Sequence, residues 1–221
     1  MKRLLAVVLA VLFGQALFAG GFIVDNCEDG DINTLGGGWW YTYDDNAQGG
    51  NSKVEPAPGK FAMAKEGNSF AAYMKGKAGN KLGWDFIGIG CTLTKESSCP
   101  EMKPVDVSKY TTLEFRIKGT VAGGRLTVVL PYVEEKCGEN YAAISKTGWA
   151  DYEAAITGKV KSEWTVVKLN LRKDFKQPDW AKNENKAPIE SVLKNLKGMS
   201  FHYTSRDGEE IDIMIDDIEF K

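Results

Sequence analysis

The sequence predicts an all-β sandwich with one short helix. Apolar and polar residues alternate with a period of two over several segments, and clusters of Gly, Asn, Asp and Pro separate these segments, as in half-buried strands. The segments are 39–43, 69–74, 84–89, 112–118, 125–132, 164–171, 199–203 and 211–220. Strands do not alternate with long helical segments, so a parallel α/β sheet is not expected. A set of strands of this size is typical of a β-sandwich.

The last predicted strand, 211–220, contains an irregularity. Its apolar residues stand at odd-numbered positions up to Ile215 and at even-numbered positions from Ile218 onward. The alternation of the strand must therefore shift by one residue near Asp216 and Asp217. A β-bulge is the ordinary way to make such a shift, and it re-aims the neighbouring side chains. We therefore expect a bulge here, and an aspartate at the bulge is a candidate ligand.

The one predicted helix covers the segment 189–196. Its apolar residues fall at positions i, i+3, i+4 and i+7, Pro188 stands at its start, and Gly198 lies just past its end. Proline at the first turn and glycine after the last are typical helix boundaries.

Residues 1–19 are predicted to be a secretory signal peptide. Two basic residues precede an apolar run over 4–13, and small residues follow it. The run is shorter than the roughly 20 apolar residues that a helix needs to cross a bilayer. We expect cleavage after Ala19 or Gly20, no membrane span, and a protein that is secreted to the periplasm or the medium.

Residues 20–221 are predicted to form one domain. The segment has the size of a single domain, and neither an internal repeat nor a low-complexity linker divides it. The formal net charge is −2, from 28 Lys and Arg against 30 Asp and Glu, without a block of one sign. Nucleic acid is not expected as a partner, because its binding requires a basic stripe.

The four cysteines are predicted to form two disulfides, since an exported chain reaches an oxidising compartment. Cys91 and Cys99 enclose a short loop that closes at little entropic cost, which favours this pair and leaves Cys27 to pair with Cys137. The two other connectivities stay open. A zinc site is the rival interpretation, but the sequence has no CxxC motif and a single histidine, His202.

A hydrolase is a weaker hypothesis. The segment that starts at Glu210 is similar to the E-x-D-x-x-E signature of family-sixteen glucanases, and alternation would put Glu210, Asp212 and Asp216 on one face. Retaining hydrolysis needs two carboxylates about 5 to 5.5 Å apart. The register fails, however, because the fifth residue after Glu210 is Ile215. No motif supplies a nucleophile for His202 to activate, so an enzyme is not expected.

Four segments together resemble family-eleven carbohydrate-binding modules. They are FIVDNCEDG at 22–30, WTVVKL at 164–169, FKQPDW at 175–180 and IDDIEF at 215–220. The resemblance implies a β-sandwich jelly roll of the galactose-binding type. It also implies a non-catalytic protein that binds β-glucan chains of the plant-wall type in a concave cleft lined with aromatic residues.

The resemblance also implies the residues of the cleft, because tyrosines and a few charged residues hold the glucan in that family. The positions of this chain that match its ligand contacts are Tyr41, Tyr43, Trp84, Asp179, Trp180 and Tyr203. Two departures bear on which glycan is preferred. Trp180 stands where the family has tyrosine, and Cys27 replaces an aromatic residue of the first strand.

A structural calcium ion is a further implication of the resemblance. Glu28 of the first strand and Asp216 of the last strand match its acidic positions, and carboxylate oxygens are ligands that Ca²⁺ prefers. The implied partner is a polysaccharide, with cellulolytic enzymes or cell-surface components as further partners. The alternative function is that of a structural or assembly protein that uses the same jelly roll to bind a protein, since fold does not fix function.

Overall fold

The computed structural model describes residues 20–94, 103–136 and 142–221. These residues form strands connected by loops, together with one short α-helix, α1 (Ile189–Lys194). In chain order the strands are β1 (Phe22–Asp25), β2 (Trp40–Asp44), β3 (Lys53–Glu55), β4 (Ala64–Glu66), β5 (Ser69–Lys77), β6 (Phe86–Thr92), β7 (Thr112–Val121), β8 (Arg125–Leu130), β9 (Val133–Lys136), β10 (Ala142–Ser145), β11 (Tyr152–Ala155), β12 (Thr165–Asn170), β13 (Gly198–Thr204) and β14 (Glu210–Phe220).

The strands form two main antiparallel sheets and a small hairpin. The front sheet has the order β11-β8-β13-β6-β2. The back sheet has the order β12-β7-β14-β5-β3, and β1 pairs with β14 while β4 pairs with β5. Strands β9 and β10 form the separate hairpin. The predicted β-sandwich jelly roll with one short helix is confirmed.

Apolar residues of the two sheets meet in one core. Phe115 of the back sheet and Phe201 of the front sheet contact each other edge to face, with ring centroids 5.1 Å apart. Both are fully buried. The polar edge of the buried Trp40 ring is satisfied, because its indole nitrogen donates to the Asp25 carboxylate over 2.6 Å. The core therefore accounts for the apolar half of each alternating strand.

The long predicted strands are present, with boundaries shifted by a few residues at most. Helix α1 begins after Pro188 as predicted. The bulge is also confirmed: the pairing of β14 with β7 shifts register after Asp216, and Asp217 has a positive φ of 51°. Glu28 differs from its prediction, because β1 ends at Asp25 and Glu28 lies in the loop that follows.

The predicted signal peptide, 1–19, lies outside the described residues. Within the described ranges, no helix has both the length and the hydropathy to cross a membrane.

The predicted disulfides each have one cysteine in the described structure. Cys27 and Cys91 are fully buried in the core and are free thiols there. Their predicted partners, Cys137 and Cys99, lie outside the described residues, so both pairings stay predictions. Burial raises the pKa of the Cys27 and Cys91 thiols well above the usual range. The thiolate form of both residues is therefore disfavoured in the fold.

Candidate functional site

The outer face of the front sheet, the face turned away from the core, has glycines at its centre. Strand β6 alternates large apolar residues that point into the core with Gly88 and Gly90 on the outer face. A Cβ atom at Gly88 would overlap the Tyr43 ring, and one at Gly90 would lie 2.9 Å from the Tyr41 ring. The two glycines therefore let the tyrosine rings of the neighbouring strand β2 lie across β6.

These rings belong to a continuous aromatic cluster, which consists of Tyr41, Tyr43, Trp84, Phe86 and His202. Ring centroids are 6.1 Å apart for Tyr41 and Tyr43, 6.0 Å for Tyr43 and Phe86, and 6.1 Å for Phe86 and Trp84. The His202 ring lies 5.0 Å from Phe86 and stacks on Tyr43 at 5.8 Å. Three strands of the front sheet and the loop before β6 thus build one ring surface.

Trp84 is the exposed end of the cluster, with 54% of its surface accessible to solvent. The neighbouring Asp85 organises its loop, because the Asp85 carboxylate accepts backbone N–H groups from Lys81, Leu82 and Gly83 at 2.9 to 3.0 Å. Burial alone would raise the pKa of Asp85, but these hydrogen bonds outweigh it and hold the pKa below its usual range. The Trp84 ring is therefore presented on a fixed loop.

His202 has the only ring of the cluster that can take up a proton to become positively charged, and its surroundings keep it neutral. Burial, together with the positive charge of Arg125, lowers the pKa of His202 to about 4. Its Nδ1 atom lies 3.0 Å from the Tyr43 hydroxyl, which is also 3.2 Å from Ser200 Oγ. Burial likewise raises the pKa of Tyr41 to about 12. At neutral pH the cluster consequently carries no charge of its own.

Charged and polar groups lie on the outer face beside the cluster. On the side of β8 and β11, Arg125 and Glu153 form an ion pair at 2.7 Å. Asp151 follows in the loop before β11, and its carboxylate accepts hydrogen bonds from Thr147 Oγ1 and the backbone N–H of Tyr132. A partly exposed ring surface with hydrogen-bonding groups beside it suits a ligand that is apolar on its faces and polar at its rim.

The sequence of the chain decides which ligand class this is. Residues 33–221 match the family model of carbohydrate binding domain 30. The chain belongs to this carbohydrate-binding family. The prediction of a carbohydrate-binding module is therefore right at the level of the class, whereas the family that the sequence model identifies is family 30 instead of family 11.

Solved structures similar to this family 30 domain include family 11 modules. One is the family 11 module of the cellulosomal cellulase Lic26A-Cel5E of Clostridium thermocellum, with a TM-score of 0.54, 15% identity, and coverage of 91% of this chain and 94% of that chain. Another is a Clostridium thermocellum family 11 module in complex with a β-1,3-1,4-mixed-linked tetrasaccharide, with a TM-score of 0.56, 14% identity, and coverage of 91% and 95%. At these identities the similarity shows a shared fold. No curated protein sequence matches the chain.

Of the predicted ligand residues, the structure of the family 30 domain brings three together. Tyr41, Tyr43 and Trp84 all lie in the aromatic cluster. Asp179 and Trp180 are exposed in the loop that follows Lys176, and the backbone of Lys176 pairs with β11 at the other edge of the front sheet. Tyr41, Tyr43 and Trp84 thus lie toward the β2 edge of the front sheet, whereas Asp179 and Trp180 lie in a loop beside its β11 edge.

The prediction for Tyr203 is wrong. The ring of Tyr203 is fully buried in the core, and its hydroxyl donates to the carbonyl oxygen of Gly123 over 3.3 Å. Met199, Phe201 and Tyr203 share the core side of β13, so the outer face receives the residues between them, including His202. Period-two alternation puts these three residues on one face of β13, and their burial shows that this face is the core side.

Sequence reasoning did not assign Phe86 and His202 to the site. The alternation along β6 could have located Phe86. This residue lies on the same face as Gly88 and Gly90, opposite to the core residues of the strand. The sequence analysis considered His202 only as a zinc ligand and as a catalytic base. A strand that alternates large apolar residues with glycine indicates a face that something else must cover.

The predicted calcium residues are close in space. Burial, followed by the charges of Asp217 and Glu28, raises the pKa of Asp216 to about 6. The Arg116 guanidinium already lies 3.6 Å from the Asp216 carboxylate. Among the residues that the structure describes, no group of three or more His, Cys, Asp and Glu side chains is arranged to hold a metal. These side chains alone do not form a complete ligand set, so calcium stays a prediction.

Proposed function

We propose that this family 30 domain is a secreted, non-catalytic module that binds a β-glucan chain on the outer face of the front sheet. The observation that carries the proposal is the aromatic cluster, a continuous and uncharged ring surface that ends in the exposed Trp84. Pyranose rings of a β-glucan present flat C–H faces, which pack on aromatic rings, while their hydroxyl groups point sideways. Arg125, Asp151 and Glu153 are available beside the cluster to bind those hydroxyl groups.

The similar structures support the same ligand class. The family 11 module with a TM-score of 0.56 was solved with a β-1,3-1,4-mixed-linked tetrasaccharide. A linear glucan is therefore a ligand that this fold accommodates. The polysaccharide partner that we propose for the present chain is of this plant-wall type.

Binding without hydrolysis is supported by where the carboxylates of the glucanase-like segment lie. Glu210 and Asp212 are on β14 of the back sheet, and Asp216 is buried at the bulge of the same strand. The aromatic cluster belongs to the other sheet of the sandwich. A chain bound on the cluster would not reach these groups, so the segment has no role in the proposed function.

The first test replaces Trp84 by alanine. We expect the affinity for lichenan or a soluble cellulose derivative to fall by about 1 to 3 kcal/mol, the range found for stacking of planar ligands on aromatic side chains. Isothermal titration, with affinity electrophoresis as a second method, measures the loss. The thermal melt should change little, because the ring is 54% exposed.

Val166→Ala is the matched control, because Val166 is also 54% exposed but lies on β12 of the back sheet. It should bind glucan like the wild type. The proposal fails if the wild-type protein binds none of the soluble β-glucans, and that outcome would favour a protein partner. Equal affinity of Trp84→Ala and wild type would show that the cluster is not the site.

Calcium binding is proposed separately, from the proximity of Glu28 and Asp216. An ion that binds only the folded state raises the melting temperature. We expect added Ca²⁺ to raise it, exhaustive chelation to lower it, and Glu28→Gln to abolish the difference. A melting temperature that is the same with calcium and with chelator would exclude a structural calcium ion at these residues.

A further inference from the structure

Two carboxyl groups without accessible surface stand at strand ends next to the aromatic cluster. Asp45 directly follows β2, and Asp85 directly precedes β6. A carboxylate is costly to bury unless hydrogen bonds replace the water that it loses. The donors that these two side chains use therefore show which parts of the molecule they hold together.

The Asp45 carboxylate joins β2 to two other segments of the chain. Its Oδ1 atom accepts the backbone N–H of Ser52 over 3.1 Å. Its Oδ2 atom accepts the hydroxyl group of Ser52 over 2.6 Å and the backbone N–H of Phe86 over 3.0 Å. Phe86 belongs to the aromatic cluster, and Tyr43 of the same cluster lies two residues before Asp45. Asp45 thus fastens together two strand ends that carry rings of the cluster.

Ser52 extends this connection to the loop that carries Trp84. The Ser52 hydroxyl donates to Asp45, and its oxygen accepts the backbone N–H of Gly79 over 2.7 Å. Gly79 stands near the start of the loop 78–85, between β5 and β6. Asp85 accepts the N–H groups near the end of this loop, as described above. The loop is therefore bound to a buried carboxyl group at each end, through Ser52 at one end and directly at the other.

The position of the Trp84 ring depends on this loop, because 54% of the residue's surface is accessible to solvent. The ring stacks on Phe86 with an interplanar angle of 24°. Phe86 is itself bound to Asp45 through its backbone N–H. A side chain that becomes ordered only when the ligand binds lowers the affinity, whereas a ring that is already in place avoids this loss.

We infer that Asp45 is a positioning residue of the glucan site, which holds Phe86 and the Trp84 loop in the arrangement that stacks on the sugar. The inference rests on the proposed function and deepens it, because it adds a residue that controls affinity without touching the ligand. Asp45 cannot contact a glucan, since none of its surface is accessible. A change in affinity on its substitution must therefore pass through the residues that it binds.

Asp45→Asn is the variant that tests this inference, because it keeps the shape of the side chain and removes one acceptor. In either orientation of the new amide, its NH₂ group faces a backbone N–H, that of Ser52 or that of Phe86. One buried donor is then left without an acceptor. The connection between β2, Ser52 and β6 should loosen while the fold is retained, which a thermal melt verifies.

Asp25→Asn is the matched control. Asp25 is also buried, and its carboxylate accepts the backbone N–H of Cys27 and the indole N–H of Trp40. Trp40 is the first residue of β2, so this pair of hydrogen bonds lies at the opposite end of the strand from Asp45. The control should lower the melting temperature without loosening the Trp84 loop.

We expect Asp45→Asn to weaken the binding of lichenan by about 2- to 10-fold, the effect of having to order one side chain on binding. Isothermal titration well below the melting temperatures measures the loss. Asp25→Asn should bind like the wild type. In a Trp84→Ala background, Asp45→Asn should cause little further loss, because the ring that it positions is no longer present.

A second measurement needs no ligand. Backbone amide hydrogen exchange reports local opening of the structure. The amides of Gly79 and Phe86 should exchange faster in Asp45→Asn than in the wild type, and at the wild-type rate in Asp25→Asn. This result is expected whether or not the protein binds lichenan.

The outcomes separate this inference from the proposed function. A wild-type protein that binds no soluble β-glucan contradicts the proposed function, and the exchange rates then still decide whether Asp45 holds the Trp84 loop. If the wild type binds but Asp45→Asn binds equally well, or exchanges at wild-type rates, Asp45 is not a positioning residue. The same loss of affinity with and without Trp84 would also overturn the inference, because Asp45 would then act on the whole fold.

Discussion

Tyr203→Ala should lower the free energy of unfolding by about 3 to 5 kcal/mol, the usual cost of truncating a large aromatic residue in a core. The ring is fully buried on the core side of β13. Its removal leaves a cavity between the sheets, and neighbouring residues fill such a cavity only in part. Chemical unfolding measures the loss as a lower midpoint with an unchanged dependence on denaturant.

Tyr203→Phe is the matched control for this prediction. It keeps the ring and removes only the hydroxyl that donates to Gly123, so we expect a loss of about 0.5 to 1.5 kcal/mol. Glucan affinity of the folded molecules should be the same in both variants and in the wild type. A Tyr203→Ala protein that melts like the wild type but no longer binds glucan would return Tyr203 to the binding site.

The stability of the wild type should depend on the protonation of His202. Its pKa is lowered from 6.5 to about 4 in the folded protein, so the folded state favours the neutral form. As the pH falls from 6.5 toward 4, the unfolded chain takes up a proton that the folded protein does not. The free energy of unfolding therefore falls in this window, by about 1 to 3 kcal/mol for this half-buried ring.

His202→Gln isolates the effect, because glutamine stays neutral. Burial raises the pKa of Asp25, Asp151 and Asp216, and a raised carboxyl pKa acts in the opposite direction, stabilising the fold as the pH falls. The difference between wild type and variant is therefore the quantity to measure, by chemical unfolding at several pH values. Parallel stability curves for the two proteins would mean that His202 titrates normally and is not enclosed by the cluster.

Local patterning was sufficient to predict the sandwich. The alternation of Leu113, Phe115 and Ile117 specifies one buried face of β7, and the parity change after Ile215 specifies the bulge of β14. Both features depend on residues that are close in the sequence. The short strands β3, β4, β9, β10 and β11 were not predicted, because three or four residues are too few to show a period.

The site was predictable only in part, because it depends on the order of the strands. Tyr43, Phe86 and His202 come from three strands that are far apart in the sequence and adjacent in the front sheet. Alternation separates the two faces of a strand but does not say which face is the core. For Tyr203 this ambiguity led to the wrong face.

The pairing of β1 with β14 determines on which side of the domain a fused protein or a solid support would be attached. Phe22 lies opposite Phe220, so the chain enters and leaves the fold at neighbouring points of the back sheet. The outer face of the front sheet is on the far side of the core from these points. A domain fused at Gly20 or at Lys221 would therefore lie on the side of the back sheet. If the protein is immobilised through either position, the aromatic cluster should point away from the solid support.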